Sequence, residues 1–128
     1  MKKLTTLLVL IVVALSFQCS GIDNSQSNDI ITQQMLNAKK AEVMTLINNS
    51  LCTGSCNYIA FGSKPCGGPR EYLLFSDAVN LQELQLLVTQ YNEMERQFNI
   101  QTNAVSDCAM VLPPNTVDCV NGTCLIIN

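Results

Sequence analysis

Between Asp29 and about Asn49 apolar residues recur at helical spacing: Leu36, Val43, Met44, Ile47 and Leu51 share a face, with Gln33 and Lys40 beside it and Gln34, Asn37 and Glu42 largely off it. The pattern predicts an amphipathic helix that starts at Asp29, where an acidic side chain favours the N-terminus, and stops at Asn48-Asn49-Ser50. A second stripe, Leu84, Leu87, Val88, Tyr91, Met94 and Phe98, predicts a second helix whose start is better marked. Asn80 is a good N-cap, Glu83 stands three residues on as in a capping box, and Val79 with Leu84 has the spacing of a hydrophobic staple. Its polar face carries Gln82, Glu83, Gln90, Glu93 and Arg96, and Asn99 is the expected C-terminal cap.

Elsewhere the period shortens. Tyr58–Phe61 and Tyr72–Phe75 are short apolar runs flanking a loop whose Pro65, Cys66, Gly67, Gly68 and Pro69 are turn-forming and cross-linking residues, the pattern of two strands joined by a pinned loop. The turn Cys52-Thr-Gly-Ser-Cys56 leads into the first of them. After Thr102 a strand is expected over Cys108–Leu112, halted by Pro113-Pro114, and a hairpin over Thr116–Val120 and Thr123–Ile127 around Asn121-Gly122, two residues that accept the positive φ of a type I′ turn. Two striped helices each need a surface to bury against. The expected fold class is therefore α+β: two amphipathic helices packed on a small antiparallel sheet, stabilised by disulfides. The aromatic residues Tyr58, Phe61, Tyr72, Phe75, Tyr91 and Phe98 fall at packing periods and read as core rather than a ligand cage.

Composition adds the compartment. Lys2 and Lys3 precede an apolar run from Leu7 to Leu15 that is short for a membrane span, so residues 1–18 read as an export signal, 19–28 as a polar tether and 29–128 as one domain. Two processing sites compete, one after Ser16 and one immediately before Cys19. The second resembles the bacterial lipobox, with Phe17 and Gln18 standing where small residues are usual, and would attach the membrane through a lipid on Cys19. Of seven cysteines, setting Cys19 aside leaves Cys52, Cys56, Cys66, Cys108, Cys119 and Cys124, an even set suited to disulfides in an oxidising compartment. Their connectivity stays open. The preferred set joins Cys119–Cys124, Cys52–Cys56 and Cys66–Cys108; a rival set joins Cys52 and Cys56 to the C-terminal hairpin.

Without the signal, five basic residues face ten acidic ones, a net charge of −5 that argues against a nucleic acid partner. There is no histidine, which removes the commonest general base and metal ligand. Ser63 and Lys64 are neighbours rather than a working nucleophile pair, and no enzyme activity or cofactor is expected. The cysteine spacings, C-x3-C and C-x4-C, lack the C-x2-C knuckles of zinc sites, so no metal is expected either. Glu93, Glu95, Asp107 and Asp118 show no calcium-loop spacing and read as surface charges. Asn48-Asn49-Ser50 and Asn121-Gly122-Thr123 match glycosylation sequons.

What remains is recognition. The candidate binding loop is Lys64, Pro65, Cys66, Gly67, Gly68, Pro69 and Arg70, expected to display Lys64 and Arg70 from a rigid frame. The run Ile59-Ala-Phe-Gly-Ser-Lys-Pro-Cys-Gly-Gly-Pro69, with Tyr72, Ser76, Tyr91-Asn92, Val105-Ser-Asp-Cys108 and the closing Cys-x4-Cys, resembles a group of small exported bacterial proteins, many of them predicted lipoproteins. That resemblance covers about Cys52 to Cys124 and implies an exported, disulfide-bonded domain; it carries no catalytic residue. The expected function is a non-catalytic cell-envelope protein that contacts another macromolecule, an unknown protein or envelope component. A secreted protease inhibitor presenting Gly62–Glu71, with Arg70-Glu71 as the bond offered, is the alternative.

Overall fold

The structure is a computed structural model and describes residues 30–127. The export signal, the tether, Cys19 and the expected helix start at Asp29 lie outside the described residues. The elements run in the order α1 (Gln33–Asn48), β1 (Cys56–Phe61), β2 (Glu71–Ser76), α2 (Leu81–Gln101), β3 (Val117–Val120) and β4 (Thr123–Ile126). They make a disulfide-stabilised α+β fold with two two-stranded antiparallel sheets rather than one sheet.

Helix α1 begins at Gln33 because Thr32 caps it: the Thr32 hydroxyl accepts from the Met35 N–H at 3.2 Å. Ile30 and Ile31 precede the cap, Ile31 buried with its N–H donated to Gln101 Oε1 at 3.0 Å. The other end comes where expected, with Asn49 as C-cap, so Leu51 falls beyond the helix and is exposed. Asn80 caps α2, its side chain accepting from Glu83 N–H at 3.2 Å, and Val79 and Leu84 are both buried. The C-cap is Thr102; Asn99 lies inside the helix and is buried.

The helices pack on each other, α1 also touching β2 and α2 touching β1. In the β1–β2 register Ile59 faces Leu73 and Phe61 faces Glu71. Alternation therefore sends Ile59, Phe61, Leu73 and Phe75 to one face, where three of the four join Leu36, Val43, Leu84, Val88 and Tyr91 in the core and Ile59 packs against it. Phe61 stacks on Tyr91 with ring centroids 4.2 Å apart. The opposite face carries Tyr58 and Tyr72 in edge-to-face contact, and Tyr58 is exposed rather than core.

Residues 103–116 carry no strand, so the strand expected over Cys108–Leu112 does not form; Ala109 O instead accepts from the Lys64 side chain at 2.8 Å. The second hairpin forms as expected, Asn121 and Gly122 both at positive φ. The disulfides are Cys52–Cys119, Cys56–Cys124 and Cys66–Cys108. Two bridges of the first sequence-based set, Cys52–Cys56 and Cys119–Cys124, are thus replaced by the rival arrangement. Cys119 and Cys124 are register partners and share a face, but that face lies on the start of β1, where Cys52 N–H donates to Gly122 O at 3.2 Å. Each cysteine reaches across the junction, a bond that ties two remote segments where a bridge within a hairpin would tie none.

Candidate functional site

The loop between β1 and β2 is built from its backbone. Gly62 (φ +83), Gly67 (φ +92) and Gly68 (φ +81) all adopt the left-handed region. Lys64 and Gly67 close a turn through Gly67 N–H to Lys64 O at 2.8 Å, Lys64 N–H returns to Gly68 O at 3.0 Å, and Arg70 N–H reaches Phe61 O at 2.9 Å.

A polar stripe on α2 holds this loop down. Gly62 N–H donates to Asn92 Oδ1 at 2.7 Å, Ser63 N–H to Glu95 Oε2 at 2.5 Å, and Asn99 Nδ2 donates to Ser63 O at 2.7 Å. The second Glu95 oxygen receives Arg70 Nε at 2.6 Å. Glu95 is buried, not the surface charge its composition-based reading made it. A signal was present in the sequence: Glu95 lies eleven residues after Leu84, about 20° from it around the helix, and so on the buried stripe. Asn99 continues the same row.

The two cations of the loop are turned toward the domain's own acceptors. Lys64 Nζ bonds Asp107 Oδ1 at 3.2 Å and Ala109 O at 2.8 Å, leaving its side chain 11% exposed. Arg70 keeps 42% exposure but is committed to Glu95. Pro65, Cys66, Gly67, Gly68 and Arg70 are exposed and Lys64 and Pro69 half-buried, so of the two basic side chains expected on display Arg70 alone reaches solvent. A protease taking Arg70-Glu71 as its bond would first have to pull Arg70 off Glu95. Ser63 and Lys64 do not pair, because the Lys64 amine is directed to Asp107 and Ala109.

Cys66–Cys108 fixes residues 103–116 against the loop. That segment displays Val105, Met110 and Leu112, which are 93%, 82% and 72% exposed. On the opposite flank a cleft of ≈ 230 Å³ opens between the end of α1, β2 and the tip of the second hairpin, lined by Met44, Ile47, Leu73, Phe75 and Thr123 among others. Its lining includes no acidic or basic side chain.

Four groups have altered acidity, among them Arg96, raised by its hydrogen bonds to Glu93. The Ser55 N–H donated to Asp77 at 3.1 Å holds that carboxyl below its ordinary range. Hydrogen bonds from the Arg96 guanidinium lower Glu93 to about 2. Burial pushes the Tyr91 phenol up.

Comparison with protein-family models, curated proteins and solved structures finds no match to the chain. Fold and site together define a small disulfide-stabilised α+β domain whose β1–β2 loop is bound to α2 and whose C-terminal hairpin is sewn to the entry of β1.

Proposed function

We propose that this protein is a non-catalytic exported cell-envelope protein, tethered through a lipid on Cys19, that acts by contacting another macromolecule. The observation that carries the reading is the segment 103–116, which holds Val105, Met110 and Leu112 in solvent while Cys66–Cys108 and the Lys64 contacts fix its path. Large apolar side chains cost solubility when exposed, and a cross-linked backbone lowers the entropy lost on binding. The three disulfides support an oxidising compartment.

Two measurements test it together. Intact mass of the protein recovered from its source is expected to show a diacylated N-terminal Cys19 and six hydrogens fewer than the reduced chain. Photo-crosslinking in intact cells from a probe at Met110 is expected to yield a discrete adduct that a probe at Gln85, exposed on α2, does not. An unmodified Cys19 removes the lipid tether, and identical crosslinking from both positions removes the binding segment.

A further inference from the structure

The cysteine spacings argue against a metal site when each pair is taken singly. The fold changes that argument by placing the two pairs together. Cys52 and Cys56 flank the turn that enters β1, Cys119 and Cys124 flank the Asn121-Gly122 turn, and the Cys52, Cys56 and Cys119 sulfurs all lie within 4.8 Å of one another. Cys124, bonded to Cys56, supplies the fourth. Cys52 and Cys56 are buried, Cys119 and Cys124 half-buried, so the cluster has one shielded side and one approachable side.

We propose that in the reduced chain Cys52, Cys56, Cys119 and Cys124 form a tetrathiolate site for a divalent cation of the Zn2+ class. A tetrahedral Zn2+ with Zn–S bonds of about 2.3 Å sets its four sulfurs about 3.8 Å apart. Once the two disulfides open, each bonded pair of sulfurs has to part to that spacing, while the Cys56 sulfur already lies within 4.8 Å of those of Cys52 and Cys119. Two ligands from each of two short turns is also how such sites are assembled, and thiolates select Zn2+ over harder cations. The C-terminal hairpin is bonded to the start of β1 by these two disulfides and the Cys52–Gly122 hydrogen bond, and its strands also pack against β1 and β2, so a bound metal would keep the cross-linked end of that contact together once the disulfides open. Reaching that state takes two equivalents of a dithiol reductant. Each disulfide accepts two electrons and two protons while a dithiol becomes a disulfide, and metal binding then releases the four thiol protons to solvent.

The test uses the full chain carrying Cys19→Ser, Cys66→Ser and Cys108→Ser, which leaves only the four thiols. It is reduced with a phosphine under anaerobic conditions and titrated with Co2+, then Zn2+. The expected result is one Co2+ per chain with an intense sulfur-to-cobalt charge-transfer band and tetrahedral d–d bands, displaced by an equivalent of Zn2+. Adding Cys119→Ser and Cys124→Ser is expected to abolish the band. Absence of the band in the four-thiol chain overturns the proposal whether or not that chain is folded, because metal binding itself contributes folding energy in such sites. Persistence of the band after loss of Cys119 and Cys124 overturns it as well.

Discussion

One Glu95 carboxylate oxygen receives Arg70 Nε at 2.6 Å while the other receives the Ser63 N–H at 2.5 Å. A single buried side chain on α2 therefore fixes both ends of the β1–β2 loop. Removing one partner of a buried ion pair costs about 3–5 kcal/mol, but Arg70 is partly in solvent and can rehydrate, which places Glu95→Ala nearer about 2 kcal/mol. Glu95→Gln keeps an acceptor for Ser63 but turns its amide NH2 toward Arg70 Nε, so it loses the charge and the Arg70 bond alone and is expected to cost about 1 kcal/mol. Urea unfolding with the disulfides intact reads the difference. Equal midpoints for Glu95→Ala and Glu95→Gln would mean that keeping the acceptor for Ser63 N–H contributes nothing.

Glycine is required unequally within that loop. A Cβ at Gly62 would lie 2.9 Å from Glu95 Oε2 and 3.0 Å from Arg70 Cβ, whereas at Gly67 it would meet nothing within 4 Å. Both substitutions force an L-residue to positive φ, a cost of about 1–2 kcal/mol. Gly62→Ala also displaces the Glu95–Arg70 pair. It is expected to lower the unfolding free energy by at least about 1 kcal/mol more than Gly67→Ala does. The two variants, unfolded side by side, check this.

The parts legible in the sequence are those set by local chemistry. Asn80 and Asn121-Gly122 act through their immediate neighbours, and the structure places a cap and a turn at those positions. The apolar runs Tyr58–Phe61 and Tyr72–Phe75 likewise fall in paired strands, Cys56–Phe61 and Glu71–Ser76. What depended on tertiary partners was not legible. Glu95 and Asn99 look like surface residues by type, and only the β1–β2 loop lying over α2 gives them a reason to be buried. Cys108–Leu112 has strand-like residues but is tied instead to the β1–β2 loop, through Cys66–Cys108 and the Lys64–Ala109 bond. The cysteine connectivity depended on how the second hairpin docks, which no spacing within either pair records.

Acid should weaken the fold through two carboxylates. Asp77 accepts from Ser55 N–H and Ser55 Oγ, and Glu93 accepts from Arg96 and Gln97; both are held below their ordinary values of 3.8 and 4.5. A carboxyl that is more acidic folded than unfolded contributes its full stabilisation above the unfolded value and loses it as pH falls through the folded one. For Glu93 the window runs from 4.5 down to about 2. Stability measured across this window is expected to fall with decreasing pH, with a shallower slope in Asp77→Asn and in Glu93→Gln. Added salt should flatten the Glu93 contribution, an exposed ion pair, more than that of Asp77, whose main partner is a backbone N–H. A slope that neither substitution changes would assign the acid sensitivity elsewhere.

The two disulfides of the second hairpin close almost the same loop, with sequence separations of 67 and 68. With Cys56–Cys124 intact, the unfolded chain already holds Cys52 near Cys119, and the second bond closes only a small ring of about ten residues. Chain entropy assigns that ring about 3 kcal/mol and the first long loop about 4 kcal/mol. Cys52→Ser/Cys119→Ser and Cys56→Ser/Cys124→Ser are therefore each expected to cost about 3 kcal/mol, and all four substitutions together about 7 kcal/mol, more than the two separate losses combined. Denaturant unfolding of the oxidised variants measures the excess. If the combined loss instead equals or falls below the sum, the hairpin is held by packing that does not depend on the bonds, and the redundancy argued from their near-identical spans is wrong.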